Sequence, residues 1–153
     1  LISEALAGGD CLNVGCVPSK ALLRAARAVR EVRRAADFGV VLSSPPTVDF
    51  GKVMARMRAL RATIAPVDSH DATRAAGVDV YQGRGRFTGE STAEVNGQSI
   101  AFRHAVIATG GSPALPSIPG LSTISYLTNE QIFNLQELPP RLVVLGAGAV
   151  GLE

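Results

Sequence analysis

The chain has 153 residues, 46% hydrophobic and 18% charged, the profile of an ordinary globular chain long enough for one core. A formal charge of +2, with arginines interspersed among acids, excludes an electrostatic nucleic-acid surface. No apolar run approaches the roughly 18 residues needed to cross a bilayer, and no signal-peptide pattern opens the chain, so a membrane partner is not expected and the expected compartment is the cytoplasm.

Both cysteines lie in the opening stretch Gly8-Gly9-Asp10-Cys11-Leu12-Asn13-Val14-Gly15-Cys16-Val17-Pro18-Ser19-Lys20. Such a pair can be a redox couple, a metal site, a structural staple or two inert core thiols. A metal site is disfavoured, because zinc takes four Cys or His ligands and the chain adds only the distant His70 and His104. A staple is disfavoured too, since closing so short a loop removes only ~2 kcal/mol of unfolded-chain entropy. Redox chemistry fits the flanks: Pro18 suits a first helical turn, which puts Cys16 near a helix N-terminus, where partial positive charge and a nearby Lys20 favour the thiolate. In the cytoplasm a cysteine pair is more often catalytic than structural.

Residues 17 to 36 read as an amphipathic helix, with Leu22, Ala25, Val29, Val32 and Ala36 on one stripe. Arg24, Arg27, Arg30, Arg33 and Arg34 form its solvated face. Asp37-Phe38-Gly39 ends it, and Ser43-Ser44-Pro45-Pro46 is a loop. A second helical region is expected from about 50 to 76, broken or kinked at Pro66, with Met54 and Met57 as core filler.

After Gly77 the pattern becomes short strands at 78–81, 86–88, 93–95 and 99–102, with Asn96-Gly97 as a two-residue hairpin turn. His104 to Ala108 reads as a short buried strand running into Ala108-Thr109-Gly110-Gly111-Ser112-Pro113. Residues 113 to 120, with three prolines, read as an extended connector. Thr128 and Gln131 are placed for a capping box on a short helix reaching Leu135. Arg141 to Leu145 reads as a buried strand, followed by Gly146, Gly148 and Gly151 at G-x-G-x-x-G spacing.

The string from Gly8 to Lys20 resembles the redox-active disulfide motif of the pyridine nucleotide-disulfide oxidoreductases, which include dihydrolipoamide dehydrogenase, glutathione reductase and mercuric reductase. The Ala108–Pro113 string resembles that family's ATG turn at the flavin, and Leu145–Glu153 resembles its second dinucleotide fingerprint. The three strings stand in the family's order and span nearly the whole chain.

The resemblance implies an α/β fold of two dinucleotide-binding Rossmann-like domains, both incomplete here, with a small antiparallel β ribbon in the FAD domain. Residues 1–120 would be an FAD-binding fragment carrying the redox-active disulfide. Residues 121–153 would be a connector and the start of an NAD(P)-binding domain. The implied cofactors are FAD and NAD or NADP, the choice of nucleotide being set roughly 20 residues past the fingerprint. A first FAD fingerprint would precede this chain, and a dimerisation domain with a catalytic base would follow it. The chain is therefore expected to be an internal fragment, itself inactive, of an enzyme acting as a homodimer.

By motif position, Cys16 is the thiolate facing the flavin in a charge-transfer contact, and Cys11 is the interchange thiol that attacks substrate. Lys20 is expected to pair with Glu153 near the flavin, Gly85 to lie against the adenosine end of FAD, and Thr109 and Gly110 to contact the flavin through backbone. Gly146, Gly148 and Gly151 would cradle the nicotinamide dinucleotide. Ser3 or Glu4 falls near the position where the family carries an acid for the FAD ribose, a mismatch at that contact.

Ser19 and Ala149 replace the second lysine and the tyrosine lid usual in glutathione reductases. Leu12 and Ser19 fit dihydrolipoamide dehydrogenase, while Asp10, where threonine is commoner, fits a mercuric-reductase-like branch. The expected function is electron transfer between NAD(P)H and a small-molecule disulfide or metal-ion substrate, mercuric-reductase-like. The alternatives are a dihydrolipoamide dehydrogenase and a nucleotide-binding or thiol-sensing fragment without turnover.

Overall fold

Gly8 and Gly9 both take left-handed backbone, and a Cβ on Gly8 would lie 2.7 Å from the Leu12 Cβ. Only glycine makes that turn at low cost, and it carries the chain from β1 (Ile2–Ser3) into α1 (Gly9–Val14). The computed structural model describes all 153 residues.

After Gly15 the chain starts again as α2 (Cys16–Arg33), with Pro18 buried in the first turn, where its missing N–H forfeits no helical bond. Leu22, Ala25 and Val29 of the expected stripe are half-buried, whereas Val32 and Ala36 are exposed. The helix accordingly ends at Arg33, short of 36, and a 3₁₀ turn over Ala35–Phe38 follows. All five arginines of the opposite face are exposed, and Arg27 and Arg34 pair with Glu31 and Asp37 at 3.1 Å.

The 50–76 region divides at Pro66 as its sequence predicts. Asp49 caps α3 (Phe50–Ile64), accepting from the Lys52 N–H at 3.0 Å, and Ser69 caps α4 (His70–Ala75), accepting from Ala72 at 3.0 Å. Met54 and Met57 are fully buried against Ala21 and Phe133, with Val14, Leu22 and Ile132 around the edge. This cluster joins α1, α2 and α3 to α5 (Asn129–Ile132), whose Thr128–Gln131 capping box forms although the helix stops at Ile132 rather than Leu135.

β1 pairs in parallel with β2 (Tyr81–Gln82), Ile2 opposite Tyr81 and Ser3 opposite Gln82. β3 (Gly85–Gly89), β4 (Thr92–Val95) and β5 (Gln98–Ala101) make an antiparallel meander with an irregularity between Phe87 and Gly89. Asn96 and Gly97, with φ of +51° and +79°, form the two-residue turn between β4 and β5. Ala93 and Val95, two apart and so on one face, supply that sheet's buried side.

Two expected strands do not form. Residues 104–108 and 141–145 lie outside any sheet, with Val106 91% and Val143 83% exposed. A strand exists only against a neighbour, and no segment of the chain lies alongside either run to pair its N–H and C=O groups. Parallel pairing is confined to β1 and β2. After residue 145 the chain turns into α6 (Ala149–Leu152). No helix is long and apolar enough to cross a membrane.

Candidate functional site

The two thiols meet at the junction of α1 and α2. Cys11 stands in the middle of α1, Cys16 opens α2, and both are exposed and free. Gly15 folds the backbone between them so tightly that a Cβ there would lie 2.8 Å from the Asp10 carbonyl oxygen. Hydrogen bonding with the Cys16 thiol holds the Cys11 thiol above its ordinary pKa; desolvation and the charges of Cys16 and Asp68 push the same way. Cys11 thus gives up its proton less readily than a free thiol, and Cys16 stands at the start of an eighteen-residue helix.

The junction is tied down by residues that sequence reasoning did not single out. Asn13 Nδ2 donates to the carbonyls of Ala7 and Gly9 at 3.0 and 2.9 Å, closing the turn that precedes Cys11. Arg61 on α3 donates from Nη1 to the Asn13 carbonyl at 3.1 Å, and Asn129 on α5 donates from Nδ2 to the Val14 carbonyl at 3.4 Å. One arginine among the four basic residues of α3 and an asparagine after a capping threonine carry no local signal of these roles. Asp68 likewise approaches Cys11 only because the α3–α4 connection folds back toward it.

Four residues onward from Cys16, the Lys20 ammonium is bonded to the Glu153 carboxylate. That hydrogen bond is the main reason the Glu153 carboxyl lies below its usual range, with hydrogen bonding from Ser19 second and the Lys20 charge adding to them. Ser19 Oγ also donates to the Cys16 carbonyl at 3.2 Å. Glu153 reaches the site through the glycine turn at 146–151, where a Cβ on Gly151 would lie 2.5 Å from the Gly146 carbonyl oxygen. Gly148 precedes α6 with nothing within 4 Å of a Cβ position, leaving backbone open to a close ligand.

The ATG turn comes to the same place. A Cβ on Gly110 would lie 3.9 Å from Asp10 Oδ2, so this turn sits beside the residue before Cys11, with Thr109 exposed next to it. Cys11, Cys16, Lys20, Glu153, Thr109 and Gly110 are therefore gathered at one end of α2, and Gly146, Gly148 and Gly151 lead into it. Gly85 is elsewhere, at the start of β3, where a Cβ would lie 2.9 Å from Ile2 Cγ2. The close approach that this glycine permits in the structure is to β1. His70 serves the scaffold, its Nδ1 accepting from Gln82 Nε2 at 2.9 Å, and His104 is exposed.

An accessible dithiol beside an ion pair and open glycine backbone can exchange two electrons with a partner laid across it. Comparison with known proteins agrees with that chemistry. All of residues 1–153 match the family described as pyridine nucleotide-disulphide oxidoreductase. Over its full length the chain is 35% identical to a mercuric reductase of Lysinibacillus sphaericus, spanning 28% of that protein. It is 32% identical to a dihydrolipoyl dehydrogenase of Acholeplasma laidlawii, spanning 46% of it. The HOCl-induced flavoprotein disulfide reductase RclA from Escherichia coli superposes with a TM-score of 0.77 at 27% identity, over 99% of this chain and 32% of that one.

Proposed function

This chain belongs to the pyridine nucleotide-disulphide oxidoreductase family, and we propose that it is the redox-disulfide portion of an FAD-dependent enzyme passing electrons between NAD(P)H and a substrate. The observation that carries the reading is the convergence of the Cys11–Cys16 pair, the Lys20–Glu153 ion pair and the Gly110 turn at one end of α2. The residues fit the implied cofactors: backbone at Gly110, Gly111 and Gly148 is unobstructed, and Lys20 is paired in the place that the family motif assigns it beside a flavin. A bound flavin supplies hydride exchange with the nicotinamide and electron transfer to the cysteines.

What the chain's own residues contribute is placement and charge. By motif position Cys16 would be the thiolate facing the flavin, and Cys11, exposed and with its pKa raised, the thiol that meets substrate. Reducing the Cys11–Cys16 disulfide to this thiolate–thiol pair takes two electrons and one proton, and Cys11 holds that proton. Lys20, held by Glu153, keeps a cation near the start of α2. Gly85 would line the adenosine end of FAD, and Gly146, Gly148 and Gly151 the nicotinamide dinucleotide. In this reading residues 1–120 belong to the FAD domain and 121–153 begin the NAD(P) domain, both Rossmann-like, and the working enzyme is a cytoplasmic homodimer.

The chain spans only 28% of the mercuric reductase and 46% of the dihydrolipoyl dehydrogenase above, so substrate choice is proposed from the motif. Asp10 favours a mercuric-reductase-like metal-ion substrate; Leu12 and Ser19 favour the second reading, a dihydrolipoamide dehydrogenase. The test is an anaerobic absorption titration, with NADH or NADPH, of the full protein that carries this chain. A yellow protein that develops a long-wavelength charge-transfer band on reduction is the expected result. A colourless protein sinks the proposal and leaves a nucleotide-binding or thiol-sensing module. Turnover with Hg(II), lipoamide and glutathione disulfide then separates the substrates.

A further inference from the structure

We infer that Arg61 and Asn129 are positioning residues for the cysteine pair, holding the α1–α2 junction in the geometry that forms the Cys11–Cys16 disulfide. The inference rests on the redox reading above, but it names residues that no motif contains. Cys11 and Cys16 are joined by Leu12 to Gly15, and the last backbone carbonyls of α1 in that span have no partner within the helix. Two consecutive carbonyls there, of Asn13 and Val14, are taken by side chains from two other elements, Arg61 on α3 and Asn129 on α5. Both contacts are partly buried, and both donors stand on elements packed into the Met54–Met57 core cluster.

The arrangement has a direct thermodynamic consequence. A junction held from two sides has already given up the backbone freedom that ring closure would otherwise cost, so the dithiol is pre-organised for the disulfide. Without these donors the dithiol regains freedom that the closed disulfide does not. The equilibrium then moves toward the open, reduced form.

The test is the equilibrium of the whole chain with glutathione disulfide, in which the two thiols lose two electrons and two protons, one S–S bond forms between Cys11 and Cys16, and two glutathione thiols are released. Arg61→Met is expected to lower the equilibrium constant about tenfold, the scale of a lost hydrogen bond to a charged group. Asn129→Ala should lower it severalfold, and Arg61→Lys, which keeps the charge but not the fork, should fall between Arg61→Met and the unaltered chain. Arg56→Met, on the exposed side of the same helix, should leave it unchanged. Helical circular dichroism accompanies each measurement. If Arg61→Met has lost its helical signal, Arg61→Lys and Asn129→Ala decide. Constants equal to that of the unaltered chain, in folded variants, overturn the positioning role. An unaltered chain that forms no Cys11–Cys16 disulfide overturns the redox reading itself, and the positioning role with it.

Discussion

The Lys20 ammonium bonds the Glu153 carboxylate across 133 positions of sequence. The contact ties the first turns of the cysteine-bearing helix to the helix that follows the glycine fingerprint, and its titration has a definite sign. Glu153 ionises more readily in the folded chain than in the unfolded one. The contact is therefore complete above the ordinary glutamate range, about pH 4.3, and is lost as pH falls through the lower, folded midpoint. NMR of the Glu153 side-chain carboxyl is expected to show that depressed midpoint, and Lys20→Met to return it toward the ordinary value. A midpoint indifferent to Lys20→Met would mean the two groups do not meet in solution.

The Cys11 thiol, held up chiefly by its hydrogen bond with Cys16, should alkylate more slowly near pH 8 than an unperturbed cysteine. Cys16→Ser removes the neighbouring sulfur and its charge, and the iodoacetamide rate–pH profile of Cys11 should move to lower pH. Asp68→Asn should move it the same way by a smaller amount. An unchanged profile in Cys16→Ser would show that the thiols are not in contact.

Gly15 cannot take a side chain without displacing backbone, because its Cβ would meet the Asp10 carbonyl oxygen at 2.8 Å. Gly15→Ala is expected to cost about 1–3 kcal/mol of stability by forced backbone shifts, read from urea unfolding. It should also slow disulfide formation in the folded chain, since the shift lies between the two cysteines. Wild-type stability together with wild-type oxidation kinetics would refute the close packing.

Met57 is fully buried in a core cluster of only four such residues. Met57→Ala is expected to cost about 2–5 kcal/mol, the usual range for emptying a buried methionine site. Thermal and urea unfolding check it. Met57→Leu, which nearly conserves volume, should cost less than about 1.5 kcal/mol.

Much of this chain was legible locally. Helix α2 with its arginine face, the break at Pro66, the Asn96-Gly97 turn and the Thr128–Gln131 cap all follow from interactions a few residues long, and all are found in the structure. The string from Gly8 to Lys20 also pointed to the family, and its Gly8 and Gly15 are required by contacts to residues within five positions of themselves. The runs at 104–108 and 141–145, expected as strands, form none for the complementary reason. Their composition suits a strand, but a strand is a relation between two segments, and composition does not say whether the second is there.

The sequence by itself determined the family, where the helices begin and which turns need glycine, since those are set by neighbours along the chain. Only the tertiary structure decided that the Asp68 charge acts on Cys11, and that Arg61 and Asn129 hold the carbonyls between the cysteines. Those hydrogen-bond partners are separated by up to 115 positions, and what brings them together is the packing of α2, α3 and α5 around two methionines, which no local pattern encodes.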